Sequence, residues 1–179
     1  MKILAFAASN SRQSINKALV SCAAKVLKAE FYPDAKIEIL DINDFDIPIF
    51  GVDFEREVGE PKAARRFYEK IGSADILLIS YAEHNGHYTA FYKNLFDWTS
   101  RISKEVYQGK PAVFFSVSTG ANGAKSVLHA ATTSAEYFGA DLKASLSVPS
   151  FDDNFDLEKG KLTNDDLQSD LVAALRKLK

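Results

Sequence analysis

Apolar positions along the chain fall into two alternating patterns. The runs "KILAFAA" (2–8), "ADILLIS" (74–80), "PAVFFSV" (111–117) and "DLKASLSV" (141–148) read as buried strands. The first three are nearly continuous, as expected where helices cover both faces of a parallel sheet. A fifth segment, "KIEILDI" (36–42), alternates apolar and polar residues and suits a place near a sheet edge.

Between these runs the spacing changes to that of helices. Over 14–31, Ile15, Leu19, Cys22, Val26 and Leu27 build one apolar face. "PKAARRFYEKIG" (61–72) opens with proline at the first helical position and ends at glycine. Phe91, Leu95, Trp98 and Ile102 mark a helix over 88–103, and Ala124, Val127, Leu128, Ala131 and Ala135 one over 121–138. The last helix has Thr163 as cap, Asp166 three residues on, and Leu162 and Leu167 as a hydrophobic staple. Leu167, Leu171, Ala174, Leu175 and Leu178 line its apolar side.

Strict β-α alternation predicts a doubly wound α/β fold with right-handed crossovers. Five parallel strands in one domain, residues 1–179, suit a flavodoxin-like three-layer sandwich of order 2-1-3-4-5. Two stretches, 43–60 and 149–162, read as long irregular loops, a length that points to function or an interface.

Composition narrows the function. A net charge of −2 and the absence of a Lys/Arg cluster argue against a nucleic-acid partner. One cysteine, Cys22, excludes an internal disulfide and fits a reducing, cytoplasmic setting. Its place on a helical apolar face makes it a small buried hydrophobe. No run is long enough for a membrane span, and polar "SNSRQS" follows the first strand where a secretory signal would continue apolar.

In an open parallel sheet, ligands bind beyond the carboxyl ends of the strands. Three loops are therefore singled out. "ASNSRQSIN" (8–16) brings Ser9, Asn10, Ser11, Arg12, Ser14 and Asn16 to a helix N-terminus. Open N–H groups, hydroxyls and a planar cation suit a terminal phosphate. The loop lacks the "GK[ST]" of a P-loop and the glycines of a dinucleotide fingerprint. Ser14 is expected to cap the helix in any case. "YAEHNGHY" (81–88) holds an Asn-Gly turn, and "SVSTGANGAKS" (116–126) holds Gly120 and Gly123 before a helix. A mononucleotide with a flat ring fits the three together.

Other chemistries fit poorly. His84 and His87 are spaced i, i+3, but no cysteine or third histidine lies near, so no metal site is expected. "DDNFD" (152–156) lacks the glycine and the terminal glutamate of a calcium loop: Leu157 and Thr163 stand there. No "GxSxG" elbow supports a Ser-His-Asp hydrolase. Trp98 shares a stripe with Phe91 and Leu95, which favours a role in the core or a subunit interface over catalysis. The charges of 53–69 are expected to form a solvated face, and Phe50, Val52 and Phe54 beside them are candidates to meet a partner subunit.

"AASNSRQSINKALV" resembles the "GSxRxxSxNxxLA" phosphate loop of the NAD(P)H-dependent FMN reductase family. "AEHNGHYTAFYKNLFDWTSR" resembles that family's "PEYNxSxPxxLKNxxDWxSR". "KIEILDINDFDIPIF" and "FDLEKGKLTNDDLQSDLVAALRKL" are similar to its second strand and its C-terminal pattern. The resemblance implies a flavodoxin-like oxidoreductase that is a homodimer or homotetramer. It implies hydride transfer from NADPH or NADH through FMN to a small acceptor: free flavin, a quinone, an azo compound or a metal oxyanion.

Residue by residue, the resemblance gives Ser9, Arg12, Ser14, Ile15 and Asn16 to the FMN phosphate. Ala82, Glu83, His84, Asn85 and Gly86 would wall the isoalloxazine ring, and Ser118, Thr119, Gly120 and Gly123 form the third flavin loop. Ala82 replaces the family's proline, His84 its tyrosine, and Thr89 the proline that starts the next helix. No side-chain acid or base is obligatory, and His84 is a candidate on the substrate side. Backbone N–H groups of 119–123, at the start of a helix, are expected to stabilise negative charge on the reduced ring. A flavodoxin-type electron carrier is the alternative, as is a binding module that kept the fold. The carrier predicts a strongly acidic chain and a Thr-rich phosphate loop without arginine, and neither is present.

Overall fold

The computed structural model describes all 179 residues. Five parallel strands form one sheet: β1 Lys2–Ala8, β2 Lys36–Leu40, β3 Ile76–Tyr81, β4 Pro111–Val117 and β5 Asp141–Val148. Their order is β2-β1-β3-β4-β5, the flavodoxin-like order expected from the alternation. The helices are α1 Ile15–Phe31, α2 Val52–Val58, α3 Lys62–Gly72, α4 Ala90–Ile102, α5 Lys125–Ser134 and α6 Asp165–Arg176.

A period of two is hidden inside the continuous apolar strands. Ile3 and Ala5 of β1 face the layer of α1 and α6, with Leu19, Leu27, Leu171 and Leu175. Leu4, Phe6 and Ala8 face α3, α4 and α5, with Phe67, Ile71, Leu95 and Val127. Two closed cores result, one on each side of the sheet. Cys22 lies in the first, where burial pushes its thiol up and keeps it protonated.

Several elements differ from expectation. β2 stops at Leu40, because Asp41 caps a short 3₁₀ turn, Ile42–Asp44, by accepting from the Asn43 N–H at 3.0 Å. β5 is an edge strand and not a buried one: Asp141, Lys143 and Ser145 are exposed. Pro61 precedes α3 as its N-cap and is not its first turn residue. The stretch 43–60 is not an irregular loop, for α2 occupies Val52–Val58 with no buried residue. Residues 149–162 hold a helical turn, Phe151–Asn154, and a hairpin of Phe155–Asp156 with Lys161–Leu162. The cap of α6 is Asn164, whose side chain accepts from the Leu167 N–H at 3.1 Å. Thr163 is tied back to Asn154 and Asp153, which removes it from the cap, while Leu162 and Leu167 still pack into one core.

Trp98 is fully buried and is covered by its own chain, so its role is in the core. Its indole N–H donates to the Pro48 carbonyl at 2.7 Å, with Phe50 and Phe54 edge-on at 5.0 and 6.2 Å. Val52, at 53%, and Val58, at 56%, stay exposed on α2.

Ion pairs join the β2 edge to its neighbours. Glu38 lies 2.7 Å from Lys2 and 2.6 Å from Lys70, and Asp41 lies 2.8 Å from Lys17. Hydrogen bonds from these lysines hold both carboxyls below their ordinary values. A carboxylate with a lowered folded pKa stabilises the fold above its unfolded pKa. That stability is lost as pH falls through the lowered value. Urea midpoints are therefore expected to fall between about pH 6 and about pH 3. Replacing both Lys2 and Lys70 by Met should narrow the difference; an unchanged difference would assign the acid sensitivity elsewhere.

Candidate functional site

The carboxyl ends of β1, β3 and β4 open onto a cleft of about 230 Å³. The loop after β1 contributes Ser9, Ser11, Gln13 and Ser14, and α1 begins there with Ile15 and Asn16. Ala82 and Glu83 come from the segment after β3, and Val117, Ser118 and Thr119 from the end of β4. This is the switch point, where β1 and β3 are neighbours and their helices leave on opposite faces.

One edge of the cleft is built for an anion. The Ser14 hydroxyl caps α1 by accepting from the Lys17 N–H at 3.2 Å. The N–H groups of Ile15 and Asn16, in the first turn, have no acceptor within the chain. They carry the positive end of a 17-residue helix. The Ser9 hydroxyl accepts from the Ser11 N–H at 3.2 Å and tightens the loop. Asn16 is 3% exposed and its side chain is committed to the fold. Its amide oxygen accepts from the buried Ser80 hydroxyl at 2.7 Å, and its amide nitrogen faces the Val117 carbonyl at 3.5 Å. Asn16 thus ties the loop to β3 and β4, and only its backbone is open to a ligand.

The segment after β3 is a hairpin that pattern reading did not resolve. Glu83 pairs with Tyr88 and His84 with His87. Asn85 and Gly86 have φ of 52° and 78°, the left-handed pair that a two-residue hairpin turn requires. His84, Asn85 and Gly86 are exposed at the tip and do not line the cleft. Both histidines are exposed, and no group of three or more His, Cys, Asp or Glu converges anywhere.

Below the hairpin lies a buried phenol cluster. The Tyr107 hydroxyl is 3.1 Å from that of Tyr81 and 3.2 Å from that of Tyr92. Burial raises all three phenols, so they stay neutral. Thr89 caps α4 by accepting from the Tyr92 N–H at 3.3 Å and donates to the Ala8 carbonyl at 3.1 Å. A proline there could do neither.

Three more expectations change. Arg12 lines an adjoining groove of about 480 Å³ with Lys17, Ser21 and Leu157, and its guanidinium makes no ion pair. Gly120 and Gly123 do not line the cleft, although Gly120 follows Thr119 and its carbonyl accepts from the Ser118 hydroxyl at 3.1 Å. Gly123, at φ 63°, packs against β5: a Cβ there would strike the Ser147 hydroxyl and come within 3.1 Å of the Pro149 nitrogen. α5 begins at Lys125, not at 121, after Ala124 in the left-handed region. Residues 119–123 therefore do not form a helix start. Gln13 and Val117 were not singled out by pattern reading, although Gln13 lies in the same polar run as Ser11 and Ser14.

Two grooves of about 490 Å³ are larger: one over β2, lined by the Lys2, Glu38 and Lys70 ion pairs, the other beside Cys22. The first meets no α-helix N-terminus, and the second meets the start of α6 where Asp165 and Asp166 stand against an anion, so size does not select the site.

The profile of the NADPH-dependent FMN reductase family matches residues 1–150. The chain belongs to that family. An NAD(P)H-dependent FMN reductase of Pseudomonas aeruginosa is 33% identical over 123 residues, 69% of this chain and 63% of the relative. A 2-hydroxy-1,4-benzoquinone reductase of a Burkholderia species is 32% identical over 124 residues, with coverage of 69% and 63%. The chain therefore matches less than two thirds of the length of these relatives. Among solved structures, the flavoenzyme NAD(P)H:(acceptor) oxidoreductase FerB of Paracoccus denitrificans superposes with a TM-score of 0.75. It is 21% identical and covers 99% of this chain and 96% of its own, a likeness of fold.

The donor set of the cleft fits the phosphate end of FMN: two open helix N–H groups flanked by hydroxyls. Its volume lies below the roughly 300–1,000 Å³ of sites that enclose a whole small ligand.

Proposed function

We propose that this chain, acting as a single domain over residues 1–179, binds FMN. In this reading it passes hydride from NADPH or NADH to a small acceptor: free flavin, a quinone, an azo compound or a metal oxyanion. The carrying observation is the switch-point cleft, with the open N–H groups of Ile15 and Asn16 beside three serines. Membership of the family supports the cofactor, and the benzoquinone reductase relative supports a quinone-type acceptor.

Ser9, Ser11, Ser14 and the backbone of Ile15 and Asn16 hold the phosphate. Arg12 adds charge by turning toward the cleft, and since its guanidinium is unpaired the turn breaks no ion pair. Ala82 and Glu83 on one side and Ser118–Thr119 on the other bound the ring. His84, at the exposed hairpin tip, meets the acceptor and does not wall the ring. Bound FMN supplies the hydride chemistry, and the protein supplies orientation and charge. No side-chain acid or base is required. No helix is long and apolar enough to cross a membrane. A cytoplasmic homodimer or homotetramer, with no nucleic-acid partner, completes the proposal.

Riboflavin keeps the ring and lacks the phosphate. FMN is expected to bind at least about tenfold tighter than riboflavin, from charge-assisted bonds to the helix end. Fluorescence quenching titrations measure both. Equal affinities would contradict the phosphate cradle.

A further inference from the structure

Helix α5 lacks a cap of its own. Ala124, the residue before its first turn, has no side chain to offer, and φ 57° gives it a strained start. The missing partner comes from 44 residues upstream: the Glu83 carboxylate accepts from the Val127 N–H at 2.9 Å. Val127 is the third residue of the ten-residue helix, the position a capping oxygen serves. The carboxylate also meets the positive end of the helix.

Tyr88, the cross-strand partner of Glu83, lies in the hairpin strand that packs against the same helix. The hairpin is therefore packed on α5, and Glu83 clips it to the start of that helix with a charged, partly buried hydrogen bond.

We infer that Glu83 is the positioning residue of the ring wall. As the cap of α5 supplied from another element, it fixes the hairpin beside the cleft and sets the charge at that helix end. This rests on the FMN reading above and refines it. The Glu83 side chain turns to α5, so Ala82 and the hairpin backbone are left to face the ring. Its negative charge offsets a helix dipole that would otherwise favour the reduced, more negative flavin.

Glu83→Gln keeps an acceptor oxygen and removes the charge; Glu83→Ala removes both. In the ligand-free chain, hydrogen exchange at the Val127 amide is expected to speed up about tenfold in Glu83→Ala and to stay near wild type in Glu83→Gln. FMN affinity should fall about tenfold in Glu83→Ala and be restored by glutamine. In Glu83→Gln the reduced flavin should bind on the order of tenfold more tightly relative to the oxidised form, so the midpoint potential rises. Val127 exchange that is equal in all three proteins overturns the clip, whether or not flavin binds. An unchanged potential in Glu83→Gln, or an affinity loss that glutamine does not restore, overturns the role at the ring. If no variant and no wild type takes up FMN, the flavin reading fails, and the exchange comparison still decides the clip.

Discussion

Trp98→Ala is expected to lower the unfolding free energy by about 4 kcal/mol, among the larger effects for a single side chain. The indole is wholly buried and lies under Phe50 and Phe54. Deleting it leaves a cavity that those rings do not fill, and the Pro48 carbonyl loses its 2.7 Å donor. Pro48 also accepts from Asn94, and the Phe50 N–H donates to Asn94, so the segment leading into α2 would lose one of three hydrogen bonds to α4. Urea denaturation measures the change. Trp98→Phe separates its parts, because it restores most of the volume without the N–H. A loss below about 1 kcal/mol in Trp98→Ala would mean that α2 and its approach are not packed as described.

Asn16→Ala is expected to cost about 3 kcal/mol and to impair flavin uptake as well. The energy comes from what is left behind. Ser80 is fully buried and gives its hydroxyl proton to Asn16 at 2.7 Å; without that acceptor it stays desolvated and unpaired. Ser80→Ala in the Asn16→Ala background should recover part of the loss, because the orphan donor is gone. A double-mutant cycle with additive losses would contradict the coupling.

Much of the fold was legible because its signals are long. β1 and β4 are continuous apolar runs, and α1 repeats its apolar face for 17 residues behind a serine cap. Short or two-sided elements were not. "VDFEREV" buries nothing and so shows no apolar stripe, although it forms α2. Strands of two residues in the Glu83–Tyr88 hairpin are too short to show a period, and only Asn85-Gly86 marks them. The start of α5 was misplaced because Ala124 keeps the helical spacing while its backbone is left-handed. Thr163 and Asn164 can both cap α6, and the choice depends on contacts to Asn154 that are distant in sequence.

The cleft itself followed from topology, since the switch point selects the same three loops in the sequence and in the structure. Side-chain direction did not. Arg12 points into the adjoining groove, Gly123 packs on β5, and Glu83 reaches α5. Each depends on tertiary contacts that loop spacing does not encode.

Anaerobic titration tests the central claim most directly. The purified chain is incubated with FMN, freed of unbound flavin, and mixed with NADPH or NADH under argon. Flavin should remain with the protein, its visible absorption band should bleach with at least one nucleotide, and a benzoquinone should restore it. A chain that retains no FMN, or a bound band that neither nucleotide bleaches, would contradict the account.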